Sequence, residues 1–339
     1  MSPSPAEQTA AWVSALEAEL LARRRSQRRR VSLRRVRGRI AVVTDSASGL
    51  PMKPGDSTAA VGTVGEHITI VPIPVMIDFP HQAQIYSEVS EELERDLPLA
   101  VAQGVSVRTS RPAPGRLAEV YRDLQRAGFA GIVSVHLSAK LSGTVEAARL
   151  AAQQVDVPVT VVDSQQAGLA LGEAVIQAAL AARLGADLRT TAAAARETAA
   201  SAEATFVVPS LEQLRRGGRI NRLSSLLGSV MGVKPLLGIR AGEVALIERP
   251  RSFSRAVDRL LHLALEQAAD HPAARVGVHC FGNRAEGVGL AQSLQQASAA
   301  PVPVVELPPA LGAHLGLGAL AVTVVEPAKE PSTGADHHE

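Results

Sequence analysis

One pattern constrains this chain more than any other. A short apolar run ends in a loop bearing hydroxyl or carboxylate side chains, and the pattern occurs three times. Ile40-Ala41-Val42-Val43 runs into Thr44-Asp45-Ser46, then Gly49 and Pro51. Gly131-Ile132-Val133-Ser134-Val135 runs into His136-Leu137-Ser138, and the run from Val157 to Val162 ends in Asp163-Ser164. Apolar runs of this length bounded by turn residues read as buried strands. The alanine-rich segments 115–127, 143–154 and 168–184 read as helices. Strands alternating with helices predict a parallel sheet covered on both faces. Such sheets gather ligands outside the carboxyl ends of their strands. On that edge the chain places Asp45, Ser46, Asp163 and Ser164.

The second half reads differently. Thr205-Phe206-Val207-Val208 is a strand, and Pro209-Ser210 opens a helix, with Ser210 and Gln213 in capping-box spacing and Gly217-Gly218 as its stop. Gly242 turns between strands 236–240 and 243–248; a helix at 253–268, a strand at 275–280 and a helix at 284–297 follow. Residues 301–307 form a proline-interrupted strand suited to a sheet edge. The expected fold is therefore α/β with two domains. Residues 39–165 form an α/β/α parallel-sheet domain and 166–326 a smaller α/β domain with a mixed sheet. They are flanked by a basic extension, 1–38, and a polar tail, 327–339.

Composition excludes several function classes. With 46% hydrophobic residues the chain has enough apolar material for sizeable cores, so global disorder is excluded. No apolar run approaches the ~18 residues of a membrane span. The single cysteine, Cys280, rules out an internal disulfide and a cysteine-rich metal site. HExxH is absent and no histidines pair at helical spacing, so no metal and no cofactor is expected. A phosphate-binding GxxxxGK[ST] loop and a GxSxG nucleophile elbow are absent too. Gly316-Leu317-Gly318-Ala319-Leu320-Ala321 matches GxGxxA, but too near the chain end for the acidic ribose partner of a dinucleotide site. The N-terminal segment has no signal-peptide pattern, so the expected location is the cytoplasm.

Charge is unevenly placed. Residues 1–39 hold ten of the 35 basic residues and three of the 33 acidic ones, a net +7, which leaves the remainder at −5. Two readings stay open for residues 23–39: weak contact with an anionic membrane, or a solvated extension. No specific nucleic-acid binding is expected.

Four loops carry candidate chemistry. Leu141-Ser142-Gly143-Thr144 precedes a helix, with Ser142 or Thr144 as its N-cap, and suits an anion. Thr109-Ser110-Arg111-Pro112-Ala113-Pro114-Gly115 enters another helix through two rigid prolines. Arg215-Arg216-Gly217-Gly218-Arg219 ends a helix with a guanidinium able to reach a cleft, and a glycine-rich turn surrounds His314.

Taken in order, these segments resemble the DegV family of bacterial fatty-acid-binding proteins. Residues 44–51 resemble TDSSxDLP, 109–115 resemble TSQPSPG and 138–144 resemble SxxLSGT. Asp163-Ser164 with Gly168 and Gly172 resembles DSxxxSxGxG; 214–220 resemble LxxGGRI; Lys234-Pro235-Leu236-Leu237 with Gly242 resembles KPIL…DG. The likeness covers about 40–325. The departures are Gly49, Asn221 and the loop Gly312 to Gly318, which keeps His314 but lacks the threonine and proline of GTHxGPG.

The resemblance implies a carrier, not an enzyme. A long-chain fatty acid would lie between the domains, with its carboxylate shown to a separate ATP-dependent fatty acid kinase with a dihydroxyacetone-kinase-like domain. By carry-over the ligand residues would be Thr109, Ser110, Ser142, Gly143, Thr144 and His314, with Arg219 on the rim facing the kinase and Asp45, Ser46, Asp163 and Ser164 in support. A buried C16 chain offers about fourteen methylenes at ~0.8 kcal/mol each, and its carboxylate cannot be buried unpaired. The competing reading is a serine hydrolase using Ser142 and His314, with Asp163 or Asp45 as the third member.

Overall fold

The computed structural model describes residue 22 and residues 38–52, 68–80, 82–87, 90–220, 234–271, 273–298 and 300–326. The basic segment 23–37, Asn221 and the tail 327–339 lie outside the described residues. Along the chain run β1 (Ile40–Asp45), β2 (Ile68–Val71), β3 (Val75–Phe79), β4 (Gln82–Tyr86), α1 (Glu91–Ala102), β5 (Ser106–Thr109), α2 (Pro114–Arg126), β6 (Gly131–His136), α3 (Thr144–Ala152), β7 (Val159–Asp163), α4 (Leu169–Arg183) and α5 (Leu188–Ser201). The second half continues with β8 (Glu203–Val207), α6 (Glu212–Arg216), β9 (Leu236–Arg240), β10 (Glu243–Glu248), α7 (Phe253–Asp270), β11 (Arg275–Cys280), α8 (Arg284–Leu294), β12 (Val304–Glu306), α9 (Pro309–Leu315) and β13 (Leu320–Val325).

The first sheet has the order β2-β1-β6-β7 and is parallel throughout. Its strands read as unbroken apolar runs because helices cover both faces. Val42 points into the core shared with Val133, Leu171 and Val175, while Ala41 and Val43 point into the opposite core with Leu117, Tyr121 and Ala147. Helices α2 and α3 cover that second face; α4 and α5 cover the first.

The second sheet has the order β10-β9-β8-β13-β11-β12 and is mixed, with only β11 and β12 parallel. Helices α7 and α8 cover one face through Leu260, Ala264 and Leu294. The other face turns toward α4. That position explains the composition of α4, in which every residue from Leu169 to Leu180 is buried: a helix apolar all round belongs between two layers. Its one acid, Glu173, accepts a hydrogen bond from Arg275 of β11 at 2.9 Å, so a buried ion pair ties the layers together. The boundary expected at 165/166 thus falls ahead of two helices that pack on the parallel sheet.

Several elements depart from the expectations. A third, antiparallel sheet, β4-β3-β5, and helix α1 occupy a region where no element was anticipated. The N-cap of α3 is Gly143, with no side-chain cap bond, so neither Ser142 nor Thr144 caps it. Ser210 accepts from the Glu212 amide, but the N-cap of α6 is Leu211, so the expected capping box does not form. Arg39 donates to Ala127 O at 2.9 Å and lies 4.6 Å from the centre of the Phe129 ring, so this exposed side chain is tied to the folded body.

Candidate functional site

The polar carboxyl edge of the parallel sheet is mostly consumed by its own loops. Asp45 and His136 are fully buried. Asp45 Oδ2 accepts from His136 Nδ1 at 2.9 Å and from the Leu137 amide at 3.0 Å, and Oδ1 accepts from the Ala47 amide at 3.1 Å. His136 Nε2 lies 2.7 Å from Ser134 Oγ, which lies 2.7 Å from the Tyr121 hydroxyl. One set of donors satisfies this chain: Tyr121 to Ser134, Ser134 to His136, His136 to Asp45. Ser46 accepts from the Ile73 amide, Asp163 accepts from the Ala139 and Gln165 amides, and Ser164 donates to His136 O. These four side chains fix the loops around the site, and none lines the cavity.

The cavity lies between the inner face of the mixed sheet, the start of α4, and α9. Its walls are largely apolar, among them Leu137, Leu141, Phe206, Ile239, Leu307 and Leu311. The room left for the centres of water-sized spheres is ≈ 100 Å³, several times the ~10–15 Å³ that holds one water. Thr109, Ser142, Arg219 and His314 all line it, although they come from β5, the loop before α3, the stop of α6 and the last turn of α9.

Thr109 Oγ1 lies 2.8 Å from His314 Nε2. Ser142 Oγ lies 2.8 Å from Thr144 Oγ1. Arg219 Nε donates to Leu141 O at 3.2 Å and Nη1 donates to Gly217 O, so the guanidinium bridges two of these loops. Among the described residues no carboxylate pairs with it. Burial lowers the Arg219 pKa from its ordinary value. Burial, then the nearby Arg219 charge, brings His314 down to about 4. At neutral pH His314 is therefore an uncharged donor or acceptor. A cationic ring would need a pH near 4 in the free protein. Ser110, Gly143 and Thr144 flank the site without lining it.

This arrangement does not assemble the hydrolase triad. Ser142 contacts Thr144 and not His314; Asp45 is engaged with His136, and Asp163 with loop amides.

Sequence reasoning missed His279. It lines the cavity from β11, with only 1% of its surface exposed. Its Nδ1 donates to Val305 O at 3.1 Å and its Nε2 accepts from the Leu169 amide, the first of α4, at 2.9 Å. Burial brings its pKa down to about 4, consistent with a neutral ring in both roles. The ring fits because Gly168 lacks a side chain: at φ 61° a Cβ there would stand 2.7 Å from His279 Nε2. Strand alternation puts His279 on the inward face with Ala321 opposite, but a lone histidine in an apolar run carries no sequence signal of that contact.

The architecture and the cavity define an α/β protein built on one parallel and one mixed sheet, with a largely apolar cavity that carries a cluster of polar side chains. A sequence model of the DegV family matches residues 39–327. A DegV domain-containing protein of Streptomyces coelicolor is 38% identical over 287 residues, covering 84% of this chain and 98% of its own. One from Mycobacterium tuberculosis is 30% identical over 296 residues, covering 86% and 99%. The chain belongs to the DegV family. Among solved structures, a fatty-acid-binding DegV family protein of Thermus thermophilus matches with a TM-score of 0.72 at 30% identity, covering 85% of this chain and 99% of that one. DegV of Bacillus subtilis, a fatty acid binding protein, matches at 0.72 and 25% identity, covering 86% and 100%. Among the described residues, no helix is long and apolar enough to cross a membrane.

Proposed function

We propose that this protein binds a long-chain fatty acid, with its acyl chain in the cavity and its carboxylate at Thr109, Ser142 and His314, and shows that head group to a separate ATP-dependent kinase. The observation that carries the reading is the asymmetry of the cavity. Apolar walls suit methylenes, while two hydroxyls, a neutral imidazole and a guanidinium with no carboxylate partner among the described residues gather at one end. A carboxylate there accepts hydrogen bonds from Thr109 and Ser142 and balances the Arg219 charge, which meets the requirement that a buried charge be paired. The fatty acids bound by the Thermus and Bacillus relatives support the ligand class.

In this reading the chain is a carrier and the phosphoryl chemistry resides in the partner. The acyl oxygen–phosphorus bond forms as the bond between the γ-phosphorus of ATP and its bridging oxygen breaks. ADP leaves, and no proton is gained or lost. The test is a titration of delipidated protein with hexadecanoate and with methyl hexadecanoate. The acid binds and the ester, which carries no charge for Arg219 to balance, binds at least ~10-fold more weakly, a difference of about 1.4 kcal/mol. Equal affinity for both, or no binding of the acid, overturns the reading.

A further inference from the structure

We propose that the tip of the β9–β10 hairpin is a gate for the acyl chain, latched by Ser138 to the parallel-sheet half and released from it while the ligand enters or leaves. The proposal rests on the fatty-acid reading above and adds a route to it. Two walls of the cavity come from different sheets. Ile239 of β9 and Val244 of β10 line it and are paired across the hairpin. Leu137 and Leu141 line it from the loop that follows β6.

The hairpin and that loop meet at a seam. Ser138, fully buried, donates its hydroxyl to Gly242 O at 2.6 Å. Beside this bond Lys140 Nζ lies 3.7 Å from Glu243 Oε1 in a partly exposed ion pair. The turn is shaped for the contact. Ala241 and Gly242 both have positive φ, 49° and 81°, as a tight two-residue hairpin turn requires. A Cβ at position 242 would stand 2.6 Å from Ser138 Oγ and 3.4 Å from Gln165 Cβ, so glycine lets the tip close on the loop.

The rest of the hairpin holds the tip loosely. The ladder of β9 with β8 runs from Leu236 to Gly238 and stops short of Ile239. Strand β10 is the edge of its sheet, and all six of its residues are half-buried. Past the ladder, Arg240 pairs with Glu203, but both side chains are 41% exposed, and exposed ion pairs contribute little. Entry through the polar cluster would draw every methylene past Arg219 and the hydroxyls. Parting Ile239 and Val244 from Leu137 and Leu141 opens an apolar side instead, and breaking one hydrogen bond costs little net. Neither Ser138 nor Gly242 lines the cavity, so the latch governs passage and leaves the bound ligand's contacts alone.

The test reads rates as well as affinity on the full-length protein. Perdeuterated hexadecanoate is bound, excess unlabelled hexadecanoate is added, and native mass spectrometry follows the exchange. In Ser138→Ala the release rate rises about 3- to 10-fold, the range set by one lost hydrogen bond. The dissociation constant stays within two-fold, because association quickens equally. A second variant does not depend on how Ser138→Ala folds. Lys140→Cys with Glu243→Cys is joined by a bis-maleimide containing a cleavable disulfide, while Cys280 is buried. The joined protein releases its ligand at least ~10-fold more slowly, and cleaving the linker restores the rate. A rate unchanged within two-fold by joining overturns the gate and leaves the fatty-acid reading standing. So does a Ser138→Ala protein whose release rate and dissociation constant rise by the same factor. A wild-type protein that binds no hexadecanoate overturns the fatty-acid reading and the gate with it.

Discussion

Two clusters in this molecule set a hydroxyl against a histidine, and Leu137 belongs to both. Its amide donates to Asp45 in the buried chain Tyr121–Ser134–His136–Asp45, and the residue also lines the cavity wall that ends at Thr109, His314, Ser142 and Arg219. The buried chain has serine, histidine and aspartate in the order of a hydrolase triad, but every member is sealed and every polar atom in it is paired. Among the described residues the cavity cluster has no carboxylate behind its histidine, and its guanidinium pairs with no carboxylate. The difference teaches that chemistry follows access and unmet pairing more than residue identity. The complete set holds the frame, and the incomplete set keeps polar groups that a ligand could pair.

The comparison breaks most readily on stability. Asp45→Ala removes an acceptor of three hydrogen bonds and leaves His136 buried without its partner. Each buried donor left unsatisfied in this way costs about 1–3 kcal/mol. Chemical denaturation should show that loss. Near-wild-type stability with lost fatty-acid binding would move Asp45 into the binding site and erase the distinction drawn here.

An effect almost as large comes from acid. His279 and His314 both have folded pKa values of about 4, against an ordinary value of 6.5, with burial as the main cause. The unfolded imidazole takes its proton first as the pH falls. Stability is therefore lost from about pH 6.5 down to about pH 4, by about 3 kcal/mol for a group with a shift of that size. His279→Gln keeps a donor and an acceptor but does not titrate, so it should flatten the acid limb in denaturation measured from pH 7 to pH 4. A limb of unchanged steepness would mean that His279 is not held neutral by its buried place.

Much of this frame was legible in the sequence, for physical reasons. Parallel strands buried on both faces must be apolar throughout, so Ile40–Asp45 and Gly131–His136 announced themselves. The hairpin β3–β4 did not: β4, Gln82–Tyr86, is a sheet edge whose exposed side chains break the apolar pattern, and α1 contains Pro98, which reads as a break. For the site, the four loops bearing Thr109, Ser142, Arg219 and His314 were recognisable one by one, and the structure brings them to one cavity. His279 stayed hidden because its partners, the Leu169 amide and Val305 O, are backbone groups from distant segments.

Smaller effects sharpen the cavity side. His314→Ala removes the imidazole that Thr109 contacts and leaves a partly buried carboxylate short of a donor. Such an unsatisfied group costs about 1–3 kcal/mol, or roughly 5- to 150-fold in affinity. Ser142→Ala should fall at the lower end of that range, because Ser142 Oγ already has Thr144 as a partner. Both are read as fatty-acid dissociation constants alongside thermal unfolding. A loss of stability as large as that of Asp45→Ala, without a loss of affinity, would place these residues in the frame instead.

The central claim is that the incomplete cluster closes an acyl-chain cavity. Native mass spectrometry of the purified full-length protein, followed by organic extraction, tests it most directly. The account predicts a folded protein carrying one long-chain fatty acid, lost on delipidation and restored when hexadecanoate is added. A folded protein that carries no acyl chain and takes up none when it is supplied would contradict it.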